Sequence, residues 1–125
     1  MKDTHEEISL PARVPEPGFY YHYKHDPNAT DPQHPQCSIQ NYAYEVCGLG
    51  LYTEDDGPAD RFRVEYRPLY PWALVYRLGK LNDHRPVSMF METVVKDGVD
   101  MPRFTKVNDP AVIAQLTAIR DRMYP

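Results

Sequence analysis

The chain has 125 residues, 42% of them hydrophobic, so it has the size of one domain and the apolar content to bury one core. Its formal net charge of -4 at pH 7 supplies no global field that would draw it to duplex nucleic acid or anionic lipid. Thirteen prolines, about twice the usual share, and ten tyrosines against four phenylalanines favour short strands, many turns and amphipathic rings over long helices.

The charge is uneven. Lys and Arg number 3 against 10 Asp and Glu in residues 1–59, 6 against 3 in residues 60–90, and 5 against 5 in residues 91–125, so the middle of an acidic chain is locally basic. The first ten residues hold Asp3, Glu6 and Glu7 and lack the apolar run of about 7–15 residues that a secretory signal needs. No stretch approaches the roughly 18 apolar residues of a membrane span. With Cys37 and Cys47 as the only cysteines, no disulfide framework is indicated, and a reduced protein in the cytoplasm is expected.

In chain order, residues 1–17 mix charge with Pro11, Pro15 and Pro17 and read as an N-terminal arm, disordered or laid over the domain. A domain is expected over residues 18–106. Phe19 to Lys24 is an aromatic strand, and residues 25–41, with Pro27, Pro32 and Pro35, are a long loop. Tyr42 to Tyr52 is a second strand, bent or bulged where Gly48 and Gly50 interrupt it. After a turn at residues 53–58, Phe62, Val64 and Tyr66 alternate with Arg61, Arg63, Glu65 and Arg67, which predicts a strand with one buried and one solvated face.

Leu74, Tyr76 and Leu78 repeat that period, with a turn expected at residues 79–83. Asp97-Gly98 inside residues 91–104 predicts a hairpin with a type I′ turn, because both central residues need positive φ. Asp109 and Pro110 open a C-terminal helix over about 110–123, within the segment 107–125. Its Val112, Ile113, Leu116, Ile119 and Met123 form a stripe that docks on the domain or on a partner, a route to a homo-oligomer. Short antiparallel strands predict an all-β domain, a small closed or half-closed barrel.

Four segments carry a resemblance to a family. They are Gly18-Phe19-Tyr20-Tyr21-His22-Tyr23-Lys24, Tyr44-Glu45-Val46-Cys47-Gly48, Val64-Glu65-Tyr66-Arg67-Pro68-Leu69-Tyr70, and Arg85-Pro86-Val87-Ser88-Met89-Phe90-Met91-Glu92 running through Asp97-Gly98 to Pro102-Arg103-Phe104. In that order, over about residues 18–106, they resemble the bacterial family known as domain of unknown function 1653. The resemblance implies an SH3-like barrel of antiparallel strands and no established activity. Against the family pattern, residues 25–41 and 71–84 read as insertions, and Tyr52-Thr53-Glu54-Asp55 stands where the family has His-x-Glu-Thr.

No phosphate loop, nucleophile elbow or zinc-protease helix is present. Glu45, Glu54, Asp55, Asp56 and Glu92 read as solvated carboxylates without chemistry. His22-x-x-His25 and His34-x-x-Cys37 contain imidazole and thiolate donors of the kind that hold tetrahedral zinc, but they match no standard finger, and neither a metal nor a cofactor is expected. Arg61, Arg63, Arg67 and Arg77 suit either a solvated face or anion recognition, and Arg85 and Arg103 are not explained by alternation.

The expected ligand surface is Tyr20, His22, Tyr66, Tyr70, Trp72 and Arg85, with the Tyr66 hydroxyl wet at the mouth of the barrel. The ligand would be a small anion, a peptide or a single nucleic-acid strand. The alternatives are a metal protein or enzyme using the histidine loop, and a structural or oligomerisation domain.

Overall fold

A computed structural model describes residues 13–53, 61–74 and 82–125. Strands β1 (Gly18–His22), β2 (Ala43–Leu51), β3 (Phe62–Pro68), β4 (Asp83–Pro86), β5 (Thr93–Lys96), β6 (Val99–Pro102) and β7 (Phe104–Lys106) are joined by one-turn helices α1 (Cys37–Gln40) and α2 (Val87–Phe90). The C-terminal helix α3 spans Pro110–Met123. The main sheet has the order β4-β3-β2-β1-β7, all neighbours antiparallel, and β5 and β6 form a separate hairpin. The domain is mostly antiparallel β-sheet with a C-terminal helix, and among the described residues the strands do not join into a closed barrel.

Period-two alternation gives the sheet two faces, and both are covered. One buries Tyr20, Val46, Val64, Tyr66 and Phe104 beneath Val87 and Phe90 of α2. The other buries Phe19 and Ala43, with Leu69 and Val107, beneath Leu116 and Ile119 of α3. A bulge at Cys47 makes this possible in β2: Val46 pairs with Tyr66, the register shifts, and Gly48 then pairs with Glu65. Without the extra residue Leu49 would point to the α3 side; with it, Leu49 joins the face of Val46.

The local signals for hairpin and helix match the structure. Asp97 (φ 53°) and Gly98 (φ 77°) both take left-handed backbone in the β5–β6 turn. The Asp109 side chain accepts from the Ala111 N–H at 2.9 Å, and Pro110 occupies the first turn, so α3 begins where its cap stands. Leu116 and Ile119 of its apolar stripe are buried against the domain's own sheet, with Val112, Ile113 and Met123 partly buried beside them.

Other expectations are corrected. Leu74 closes a short 3-10 turn, Pro71–Leu74, instead of opening a strand, while Tyr76, Leu78 and Arg77 lie outside the described residues. Asp83, expected in a turn, begins β4, because residues 83–86 find a partner edge in β3. Residues 25–41 are tied down by the buried amide of Asn41, whose Oδ1 accepts from Asp26 N–H and whose Nδ2 donates to the carbonyls of Asp26 and Cys37.

Glu45 is not solvated either. Its side chain is 13% exposed, with Arg67 Nη2 at 2.8 Å and Arg120 Nη1 at 2.9 Å, so it clamps α3 onto the sheet. The strand face carrying Arg67 is therefore covered at this end, and Tyr124 stacks on the Arg67 guanidinium at 4.0 Å. Glu54, Asp55 and Asp56 lie outside the described residues.

Leu116 is fully buried between α3 and the sheet. Truncation to Ala should cost about 2–4 kcal/mol in denaturant unfolding, whereas Val95→Ala, at a site 67% exposed, should change stability by less than about 0.5 kcal/mol. A small loss at Leu116 would mean that α3 is not docked as described.

Candidate functional site

The six residues expected at a ligand surface converge, but mostly inside the molecule. A separation of two puts Tyr20 and His22 on one face of β1, where His22 lies opposite Phe104 and Tyr20 opposite Tyr44. Phe104 meets His22 edge-on at 5.1 Å between ring centroids, Tyr66 at 5.6 Å and Tyr44 at 5.7 Å, and stacks on Phe90 at 4.1 Å. Tyr70 donates to or accepts from the Tyr44 hydroxyl, and Trp72 tilts against Tyr70 at 5.2 Å and His34 at 4.4 Å. One aromatic cluster thus runs from His22 to Trp72.

Burial sorts its members. Tyr20, His22, Tyr66 and Tyr70 are buried, and only Trp72 and Arg85 are partly open. The Tyr66 hydroxyl is not wet at a mouth: it accepts from Arg85 Nε at 2.6 Å, while the Tyr20 hydroxyl donates to the Glu16 carbonyl at 2.8 Å. Buried phenols require such partners, because an unpaired polar group away from water costs about 1–3 kcal/mol.

Tyr42 adds a further ring. It lies 5.7 Å from His22 and 5.9 Å from Tyr70, and its backbone is held at φ 54°, a left-handed conformation that a non-glycine residue takes only under constraint. Its carbonyl accepts from His22 N–H at 2.9 Å, so the strained residue is fastened to the site.

Arg85, from β4, reaches across β3, with its guanidinium 5.9 Å from the Phe104 ring. Arg103 ends the β6 side of the hairpin; one of its terminal nitrogens pairs with Glu92, and its Nε is buried with no hydrogen-bond partner. His22 shares the Phe104 ring with Arg85; it is 8% exposed, and its Nδ1 accepts the Lys24 N–H at 3.2 Å. That bond places the proton of the neutral ring on Nε2, for which the described residues offer no acceptor. Burial, then the charges of Arg85, Arg103 and Lys24, hold the His22 pKa down to about 4.

Sequence reasoning left Arg103, Phe104 and Tyr44 out of the site. Their only signal was membership of the quoted family segments, since strand alternation says nothing about which ring three strands away will be touched.

The four potential zinc donors are dispersed over separate partners. His22 is in the cluster, His25 Nδ1 lies 2.6 Å from the Asn41 carbonyl with its ring stacked on Tyr21, and His34 Nδ1 lies 2.9 Å from Asp31 Oδ2. Cys37 is buried at the start of α1. Among the described residues no group of three or more His, Cys, Asp or Glu side chains is placed to hold a metal ion.

Three clefts are relevant. Arg85 lines one of ≈ 490 Å³ with Tyr66, His84, Pro86 and Met89; Asp83 shares that lining and is itself engaged. A cleft of ≈ 760 Å³ runs along β7 past Tyr20, Phe90 and Phe104, and one of ≈ 610 Å³ lies between residues 33–40 and α3. No helix among the described residues is long and apolar enough to cross a membrane. Compared with models of protein families, with curated proteins and with solved structures, the chain matches none.

The His22 environment has a measurable consequence. Its folded pKa lies below the ordinary 6.5, so in acid the unfolded chain takes up a proton that the folded one refuses. Stability should be fully present above pH 6.5, fall as the pH drops from 6.5 towards 4, and level off below, a loss on the order of 1–3 kcal/mol. Denaturant unfolding of wild type and His22→Gln across this range checks it: the substitution should flatten the slope by that amount, and an unchanged slope would contradict the assignment.

Proposed function

We propose that this chain is a non-enzymatic binding module that recognises an oxyanion, a carboxylate or phosphate group, at Arg85, Arg103 and the Nε2–H of His22. The observation that carries the reading is the donor set itself. The guanidinium of Arg85, from β4, and that of Arg103, from the link between β6 and β7, put positive charge around a neutral imidazole, and among the described residues Glu92 is the carboxylate paired with one of them. Arg85 spends its described hydrogen bond on an uncharged phenol, which leaves its terminal nitrogens for a bidentate partner. The surrounding rings of Phe104, Tyr66 and Tyr44 lower the local polarity and strengthen any such pairing.

The same proposal places the chain with the family known as domain of unknown function 1653, as a half-open SH3-like barrel; the segment Arg103-Phe104 and Arg85 both fall in the stretches that carry that resemblance. Of the sequence-based alternatives, the oligomerisation reading has part of its surface, Leu116 and Ile119, covered by the docking of α3 on the sheet.

Thermal melting against inorganic phosphate, acetate and single-stranded oligothymidylate, with sodium chloride at matched ionic strength as reference, tests the reading. A ligand at ten times its Kd stabilises by about 1.4 kcal/mol, or about 3–6 °C for a chain of this size. We expect phosphate or acetate to produce this shift and Arg85→Gln to abolish it, with Arg85→Lys as the milder variant should the first melt too low. A shift with oligothymidylate alone would transfer the site to nucleic acid. No shift with any of the three would end the binding-module reading.

A further inference from the structure

We propose that anion binding at this site is coupled to proton uptake by His22, so that an oxyanion is held more tightly in mildly acidic solution. The inference rests on the anion-binding reading above and adds its regulation. It starts from the tautomer. Because Nδ1 accepts the Lys24 N–H, the neutral ring presents Nε2–H, and a second proton can enter only at Nδ1, at the expense of that hydrogen bond.

The groups that face the ring oppose that step. Lys24 lies in the turn that follows β1, Arg85 comes from β4, and Arg103 immediately precedes β7. The other contacts are the uncharged rings of Tyr23, Tyr42 and Phe104. Glu92 is turned to Arg103, and Asp83 and His84 lie in the cleft beside Arg85, His84 with Nδ1 3.3 Å from Arg63 Nη1. An empty site therefore contains an excess of positive charge around a buried imidazole.

A bound oxyanion reverses the sign of that field. Sitting against the guanidiniums, it cancels their repulsion and offers Nε2–H an acceptor that attracts the imidazolium more strongly than the imidazole. By linkage, whatever the anion contributes to the proton the proton contributes to the anion. If the bound complex restores His22 to its ordinary value of 6.5, the affinity at pH 5.5 exceeds that at pH 7.5 by about tenfold. The proton comes from the buffer, and no covalent step is involved.

Isothermal titration with sodium sulfate, a dianion throughout this range, at constant ionic strength and at about pH 5.5 and 7.5, tests the coupling. Wild type should bind about tenfold more tightly at the lower pH, and His84→Gln, which removes the imidazole that lines the Arg85 cleft, should behave the same. His22→Gln should bind sulfate equally at both. Equal wild-type affinities, or a pH dependence that survives in His22→Gln, would overturn the coupling and leave the anion site standing. No sulfate binding at either pH would remove the site itself. Should His22→Gln fail to fold, the His22 ring resonances of wild type give the same answer: the pKa should rise by at least about one unit on saturation with sulfate, and an unmoved titration overturns the proposal.

Discussion

The inner face of the sheet is organised around one ring. Phe104 touches His22, Tyr44, Tyr66 and Phe90 and lies beneath the Arg85 guanidinium, although it belongs to a three-residue edge strand. Three of those contacts are edge-on, with interplanar angles of 79°, 83° and 66°, which lets positive ring edges meet a negative π-face. A tyrosine-rich core needs such a hub, because phenols packed against each other must still send their hydroxyls to partners. Tyr44 and Tyr70 satisfy one another, and Tyr66 is satisfied by Arg85. Removing the phenyl ring would therefore loosen both the apolar packing and the placement of the charged groups.

Burying both faces of a small sheet imposes a second requirement. The strands must supply apolar residues on alternate sides, and any charge on the covered side must be paired. Glu45 meets this by binding Arg67 of the adjacent strand and Arg120 of α3, with Tyr124 stacked on Arg67 and donating its hydroxyl to the Pro68 carbonyl at 2.7 Å. A half-buried carboxylate with one arginine would leave bonding capacity unused; with two it becomes a clasp that orients the helix. The Cys47 bulge serves the same end by returning Leu49 to the inner face after the register shift.

Volume is a poor guide to chemistry in this molecule. The larger clefts, along β7 and beside α3, are lined by groups already matched to one another: Lys106 with Glu16, and Arg122 with Gln36 at 2.9 Å. The smaller cleft is lined by the Arg85 guanidinium, which is bonded to a neutral phenol, and two unmatched donors belong to residues next to Phe104. His22 Nε2–H has no described acceptor, and Arg103 Nε is buried without a partner. Unbalanced donors, more than space, distinguish a recognition site from a surface irregularity.

Much was legible in the sequence because it is local. The Asp97-Gly98 turn, the Asp109 cap with Pro110, the alternation of Phe62, Val64 and Tyr66, and the stripe of α3 all follow from backbone preferences and periodicities acting over a few residues. So did the shared face of Tyr20 and His22. Tertiary structure decided what those faces meet. Whether Glu45 is solvated or clamped, and whether the Tyr66 hydroxyl meets water or a guanidinium, depend on residues 75 and 19 positions away. The same holds for an imidazole placed among arginines. Local sequence determines which way a side chain points; burial and partner charge, which set its protonation and its chemistry, exist only once distant segments have packed against it.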